Sequence, residues 1–394
     1  MVKATAVSRL PPEFALAAAC CRWPPSPERE AAVREAAAAI GDWDALLRTA
    51  RRHRVEGLVH DGLRRAEVVP PAPVADALAA AAAAIARDNL RFTAEAARLD
   101  RLLRDAGVDF LFLKGVTLNM LAYGTLGLKR AIDIDMVVDA ARYEAAIAAV
   151  EGSGYSCIQP REGASRAEIL AWVKKAKHSI WRNGAVALEL HTAFVDSTRM
   201  LGGVGLGSPR QAVALPGGIV LPTLASDALF AYLAVHGATH AWARLKWLAD
   251  IAAFVAHEPE AVESLYRRSV ALGGGRSGGQ ALLLAHDLLA LPLPEPLRAE
   301  LRGDRAIRYL AGVAVDAMAG AGSRELDELM LGTAAIHLSH LRLKKGLGFK
   351  LHEVRRKLRS GEHGAAHGQA KLLARLLAAP RWLMRRARRA AHRR

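Results

Sequence analysis

Hydrophobic periodicity switches twice along this chain, and the switch constrains its fold more than any single motif. Up to Ala106 the apolar residues recur at helical spacing; short β-prone runs follow from Gly107; helical spacing returns at Ser226-Asp227. This order predicts an α+β fold, with a small mixed sheet flanked by N- and C-terminal helical regions. Helical segments are expected over Glu13 to Cys21, closed by Trp23-Pro24-Pro25, and from Asp42-Trp43-Asp44, where Leu46, Leu47, Ala50, Val55, Leu58 and Leu63 form one stripe. Pro70, Pro71 and Pro73 break the chain before a long helix from Ala75 to Ala106, single or bent near Asn89.

Strands are expected over Val108 to Leu113 and Ile134 to Val138, and in a hairpin of Ser179-Ile180-Trp181 and Val186 to His191 about Asn183-Gly184. Gly217 to Leu221 is a further strand candidate, and Arg142 to Gly152 a helix between strands. Later helices should cover 227–256, 260–272, 279–290, 297–319 and 324–345. The domain reading is therefore 1–85 helical, 86–225 mixed core, 226–345 helical and 346–394 a basic tail.

Composition narrows the class. Of 394 residues 52% are apolar but only 5% aromatic, which favours an alanine- and leucine-rich helical protein over disorder. Cys20, Cys21 and Cys157 make no disulfide framework and no CxxC. The sequence shows no secretory leader pattern and no run of about 18 apolar residues, so a cytoplasmic protein without a transmembrane segment is expected. The net charge is +16, yet residues 341–394 hold 17 Lys and Arg against 2 Asp and Glu, or +15. A body near +1 excludes a reading as a basic nucleic-acid-binding domain.

The chemistry concentrates in Lys114-Gly115 and Lys129-Arg130-Ala131-Ile132-Asp133-Ile134-Asp135-Met136-Val137-Val138. Alternate residues of a strand share a face, so Asp133 and Asp135 project together and need a counter-charge. A hard divalent cation such as Mg²⁺ would supply it, whereas the plainer reading is a solvated strand end. In Leu188-Glu189-Leu190-His191, Glu189 and His191 share a face, and the hairpin would bring Glu189 in as a third carboxylate. Three carboxylates can hold the metals of a phosphoryl displacement. Lys114, Lys129 and Arg130 suit a triphosphate, and Gly115 allows close backbone approach.

These residues resemble the uncharacterised nucleotidyltransferase family of the DNA polymerase β-like superfamily. The likeness rests on Leu113-Lys114-Gly115, Tyr123, Lys129-Arg130, Asp133-Ile134-Asp135-Met136-Val137-Val138 and Leu188-Glu189-Leu190-His191. It extends to the helical stretches Trp43 to Val55, His236 to Trp242 and Leu245 to Ile251. The superfamily's usual Gly-Ser phosphate pair stands here as Lys114-Gly115, and a first basic position often occupied by arginine is Lys129. The resemblance implies that Asp133 and Asp135 bind Mg²⁺ and that Glu189 completes the site or activates the acceptor. It implies transfer of an NMP, AMP foremost, from NTP (ATP foremost) to an unknown acceptor, with release of pyrophosphate.

His236 and His240 lie one helical turn apart, with Trp247 and Asp250 on roughly the same stripe, and no HExxH marks them as zinc ligands. They are read, with Lys246 and Asp250, as a cleft-facing stripe of substrate-binding residues holding base or acceptor; the plainer readings are core histidines and an i,i+4 ion pair of Lys246 with Asp250. The glycine runs 202–207 and 273–279 lack the lysine or strand–turn–helix context of nucleotide loops and are expected to be connections, the former alternatively a lid. The tail, with Arg381 to Arg389 and Leu372, Leu373, Leu376 and Leu377, suggests a basic amphipathic helix for an anionic lipid surface or nucleic acid, or a solvated end. The rival to an enzyme is a non-catalytic nucleotide-binding or scaffold protein of a polysaccharide or peptide-maturation pathway.

Overall fold

A computed structural model of the chain describes residues 10–319 and 332–360. Helices α1 (Pro12–Cys20), α2 (Pro27–Ala38), α3 (Trp43–His53), α4 (Glu56–Arg65) and α5 (Ala72–Asp105) open it. Their starts follow side-chain capping where the sequence offers it: Ser26 accepts from the Arg29 N–H and Asp42 from the Ala45 N–H. Helix α2 escaped the pattern reading because its apolar residues are mostly alanines and only Val33 and Arg29 are buried. Helix α5 runs unbroken through Asn89, whose buried amide donates to the carbonyls of Leu126 and Lys129 while its oxygen accepts from the Ala131 N–H. The asparagine clasps the loop before the acidic strand instead of bending the helix.

The sheet is built from β1 (Phe110–Phe112), β2 (Ile134–Val138), β3 (Ser156–Gln159), β4 (His178–Asn183) and β5 (Val186–His191), with α6 (Val116–Tyr123), α7 (Tyr143–Gly152) and α8 (Arg166–Ala176) between. Its order is β1-β2-β5-β4-β3. Strand β2 runs parallel to β5, and the other pairs are antiparallel. The β4–β5 turn places Gly184 at φ 54°, a backbone setting that glycine adopts without strain. A separate ribbon of β6 (Arg210–Leu215) and β7 (Ile219–Leu224) docks on β1, where the Thr223 hydroxyl donates to the Phe112 carbonyl at 2.7 Å. Strands β3 and β6 carried no alternation strong enough to be expected from sequence.

Strand alternation gives the sheet two unlike faces. Ile134, Met136, Val138, Trp181, Leu188 and Leu190 form one core with Phe92, Leu99 and Leu103 of α5, Ile147 of α7 and Ile169 of α8. Asp135, Glu189 and His191 belong to the opposite face.

The second helical half comprises α9 (Ser226–Thr239), α10 (Leu245–Val255), α11 (Val262–Ser269), α12 (Ser277–Leu289), α13 (Glu295–Gly303), α14 (Arg305–Ala319), α15 (Gly332–His340) and α16 (Leu347–Ser360). The expected 227–256 helix is two, because Ala241 and Trp242 take φ of 50° and 53°. The Trp242 ring then covers Gly237, where any Cβ would lie 2.4 Å from the indole. The apolar faces of the first four helices merge with those of α9 to α14 in one core. Arg52 ties the two halves by donating to the carbonyls of Ala317 at 2.9 Å and Met318 at 2.5 Å. The Gly202–Gly207 loop is held by the Gly203 N–H donating to the Leu272 carbonyl at 3.1 Å. Among the described residues no helix is long and apolar enough to cross a membrane. The amphipathic helix expected over 372–389 lies outside the described residues.

Candidate active site

The parallel register sets Asp135 directly beside Glu189, and Val137 beside His191. The hairpin thus delivers its acidic strand to the sheet centre, next to β2. Asp135, Glu189 and His191 offer ligand atoms that all lie within 4.8 Å of one another. His191 Nε2 is 3.3 Å from Glu189 Oε2 and 3.5 Å from Asp135 Oδ1. Burial disfavours an imidazolium there, yet the two carboxylates overcome it and raise His191 to about 9.

Lys114 leaves the end of β1 and meets Asp135 at 3.0 Å. Burial opposes the lysine's charge, but Asp135, Tyr232 and Asp133 hold it above the ordinary range. Burial likewise opposes the Asp135 charge, and Lys114 with His191 drives that carboxyl well below the usual range. Asp133 precedes β2 and receives no such compensation: burial and the neighbouring Asp135 push it up to about 7, with Lys114 only partly offsetting. One aspartate of the pair is therefore firmly ionised and the other poised. Gly115 sits at φ 75° and an added Cβ would lie 3.5 Å from the Asp133 carbonyl, so the turn out of β1 needs glycine for its backbone angle.

Lys114, Asp135, Glu189 and His191 line the sheet side of a cleft of about 430 Å³; Asp133, expected beside them, is neither among its lining residues nor in the ligand-atom cluster. Helix α9 supplies Tyr232, His236 and His240. Burial, with Lys114 second, lowers His240 to about 4 and His236 well below its normal value, so both rings are neutral. His240 stacks on Trp247 at 5.0 Å between centroids.

The remaining expected site residues are placed elsewhere. Lys129 and Asp250 are buried against each other at 2.5 Å, with the Tyr123 hydroxyl also donating to Asp250 at 3.1 Å. Asp250 thus pairs across the fold with Lys129, not with Lys246 one turn away. Arg130 pairs with Asp88 at 2.5 Å. Lys246 lies over Trp247 at 5.8 Å, and burial with Lys129 and Arg54 nearby lowers it to about 7. None of these four side chains lines the cleft. Sequence reasoning missed His178, which packs on His191 at 5.2 Å, and the far wall of His337, His340, Glu353, Arg356 and Lys357. Those residues sit in a stretch read as helix end and basic tail, where charge alone gave no sign of a cleft.

The sequence model of the uncharacterised nucleotidyltransferase family matches residues 41–290. The chain belongs to this family. As a nucleotidyltransferase it is an enzyme, and an NTP is its donor substrate. The family span covers α3 to α12, hence the whole sheet and the α9 wall, and ends before α15 and α16. No curated protein and no solved structure matches the chain.

The donor set fits a divalent cation. Two carboxylates and an imidazole converge, and Asp135 Oδ2 is buried without a hydrogen-bond partner among the described residues. A buried carboxylate oxygen left unsatisfied is costly, and a cation would satisfy it.

Proposed function

We propose that this nucleotidyltransferase is metal-dependent, with Mg²⁺ as the expected ion, and that it transfers an NMP, AMP foremost, from an NTP to an acceptor nucleophile. The observation that carries the reading is the Asp135–Glu189 register, which joins carboxylates 54 positions apart in sequence at the head of one cleft. Asp135 and Glu189 would hold the metal with Asp133 and His191. A bound divalent cation supplies positive charge to the phosphates and to the charge developing in transfer. The acceptor's oxygen or nitrogen attacks the α-phosphorus, the bond to the bridging oxygen of the β-phosphate breaks, and pyrophosphate leaves.

The chain's own groups then have separable roles. Lys114 stays charged and neutralises phosphate oxygens while steadying Asp135. Glu189, more exposed than Asp135, acts as ligand or takes the acceptor's proton. Tyr232, His236 and His240 form a neutral wall suited to a base, with Trp247 behind. Lys129 and Arg130 support the loop between α6 and β2, and Asp250 holds Lys129 from helix α10, so that these three act on substrate only through that loop.

Pyrophosphate release measured with each NTP, with and without Mg²⁺ or Mn²⁺, tests the reading. Release is expected only with metal and wild-type carboxylates. Because His191 adds a nitrogen ligand, Mn²⁺ should bind more tightly than Mg²⁺, and His191→Ala should narrow that gap in calorimetric titrations. Metal-independent release, or release by the Asp133→Asn/Asp135→Asn double variant, would end it.

A further inference from the structure

The cleft wall opposite the carboxylates comes from α15 and α16, beyond the span matched to the family. Its acidic residue is already engaged: Glu353 accepts from the Ser197 hydroxyl at 2.6 Å and pairs with Arg356 at 2.8 Å. Lys357 has no carboxylate partner among the described residues. Its Nζ lies 2.7 Å from His340 Nδ1, 2.9 Å from His337 Nδ1 and 3.2 Å from the His337 carbonyl.

A lysine ammonium has three hydrogens and no lone pair, so these three neighbours must all accept. A ring nitrogen that accepts carries no proton, which puts the His340 proton on Nε2. That Nε2 is buried and finds no partner among the described residues, in a residue only 6% exposed that lines the cavity. A buried N–H without an acceptor is costly, because its lost hydrogen bond to water is not replaced. Burial, with Arg356 beside it, also draws Lys357 down to about 7, as expected of a cation lacking a counter-anion. Donor and charge belong to residues that line the same cavity, and both lack what an oxyanion would bring.

We propose that α15 and α16 form an oxyanion subsite in which the His340 Nε2–H donates to a phosphate-type group, with Lys357 fixing the tautomer and supplying the charge. Two sources fit this chemistry: the outer phosphates of the NTP, or an anionic group on the acceptor. The inference rests on the nucleotidyl-transfer reading only for naming those sources.

The experiment titrates the full chain with inorganic pyrophosphate in EDTA at pH 6.5, so that the metal site does not enter. Wild type is expected to bind, and His340→Phe and Lys357→Met to weaken binding about tenfold or more, the loss of one charge-assisted contact. Thermal melts confirm that both variants fold. In ¹⁵N-histidine spectra, wild-type His340 should be the Nε2–H tautomer and Lys357→Met should show a tautomer mixture, a change that a merely structural lysine would not produce. Parallel weakening of ATP in EDTA assigns the subsite to NTP phosphates; unchanged ATP with weakened pyrophosphate assigns it to the acceptor. No pyrophosphate binding by wild type, or equal binding by both folded variants, overturns the proposal. Either result is independent of whether Asp135→Asn abolishes transfer.

Discussion

Lys129 Nζ and Asp250 Oδ2 are 2.5 Å apart, bridging 121 residues of sequence between the loop that precedes β2 and helix α10. Both side chains are buried, at 6% and 5% exposure. Removing one partner of such a pair leaves an uncompensated charge and costs about 3–5 kcal/mol, whereas replacing both by apolar groups is often near neutral. Urea unfolding should show that loss for Lys129→Met, with much of it recovered in Lys129→Met/Asp250→Leu. A stable Lys129→Met protein with weakened NTP affinity would return Lys129 to a direct role in binding.

The two carboxylates facing each other across the parallel strands should separate by stability. Asp135 is a buried partner of Lys114, with its side chain 1% exposed, while the Glu189 side chain is 27% exposed. Asp135→Asn and Glu189→Gln should each lower transfer by about 100-fold or more, about 2.7 kcal/mol of barrier. Only Asp135→Asn should also lower the melting temperature, because it strands the Lys114 charge. A Glu189→Gln loss of tenfold or less would move Glu189 out of the metal site.

Acid stability should depend on His53. Its ring is fully buried and neutral, accepting from the Leu245 N–H at 3.0 Å, and burial with Arg52 and Arg244 nearby lowers it to about 3. The unfolded chain protonates this histidine below about 6.5 and the folded chain does not until about 3, so the unfolded state binds the extra proton in between. Its contribution is fully present above pH 6.5 and falls at about 1.4 kcal/mol per pH unit on acidification toward 3. A folded His53→Gln protein should show a pH–stability slope lower by that one-proton amount; an unchanged slope would contradict the buried neutral ring.

Sequence disclosed the α+β order, the strand carrying Asp135 and the hairpin carrying Glu189, because each rests on local signals: apolar alternation, Asn-Gly chemistry and paired acidic residues. The hairpin was expected to bring Glu189 to the sheet as a third carboxylate, but the parallel β2–β5 pairing that does so is not local and was not read from sequence. The fates of Lys129 and Arg130 were hidden. A basic pair beside an acidic motif suits phosphate equally well as it suits buried partners, and only tertiary packing chose Asp250 and Asp88. Whether the helix was single or bent at Asn89 stayed open, because the loop-clasping hydrogen bonds of Asn89 join residues about forty positions apart. The left-handed Ala241 and Trp242 were invisible too, since neither residue type favours positive φ.

Truncation separates the two parts of the basic C-terminus. Ending the chain after Ser360 keeps α16 but removes nine Lys and Arg against one Asp and Glu, a net +8 of the total +16. Catalysis on a small acceptor should persist, while salt-sensitive binding to anionic vesicles or nucleic acid should fall. Ending it after Lys345 also deletes Glu353, Arg356 and Lys357 from the cleft wall, and turnover or substrate affinity should drop. Equal vesicle or nucleic-acid binding by all three lengths at low salt would place the anionic-partner surface on the body.

The cleft has one wall written inside residues 41–290 and another written after them. Mutation can therefore revise the second without touching the strand ladder that aligns Asp135 with Glu189. A gene that exchanged its stretch encoding 332–360 would keep that ladder and present a different wall to whatever the cleft holds. Recombination at that seam is a short route to new specificity, and chimaeras joined between α14 and α15 are its natural laboratory counterpart.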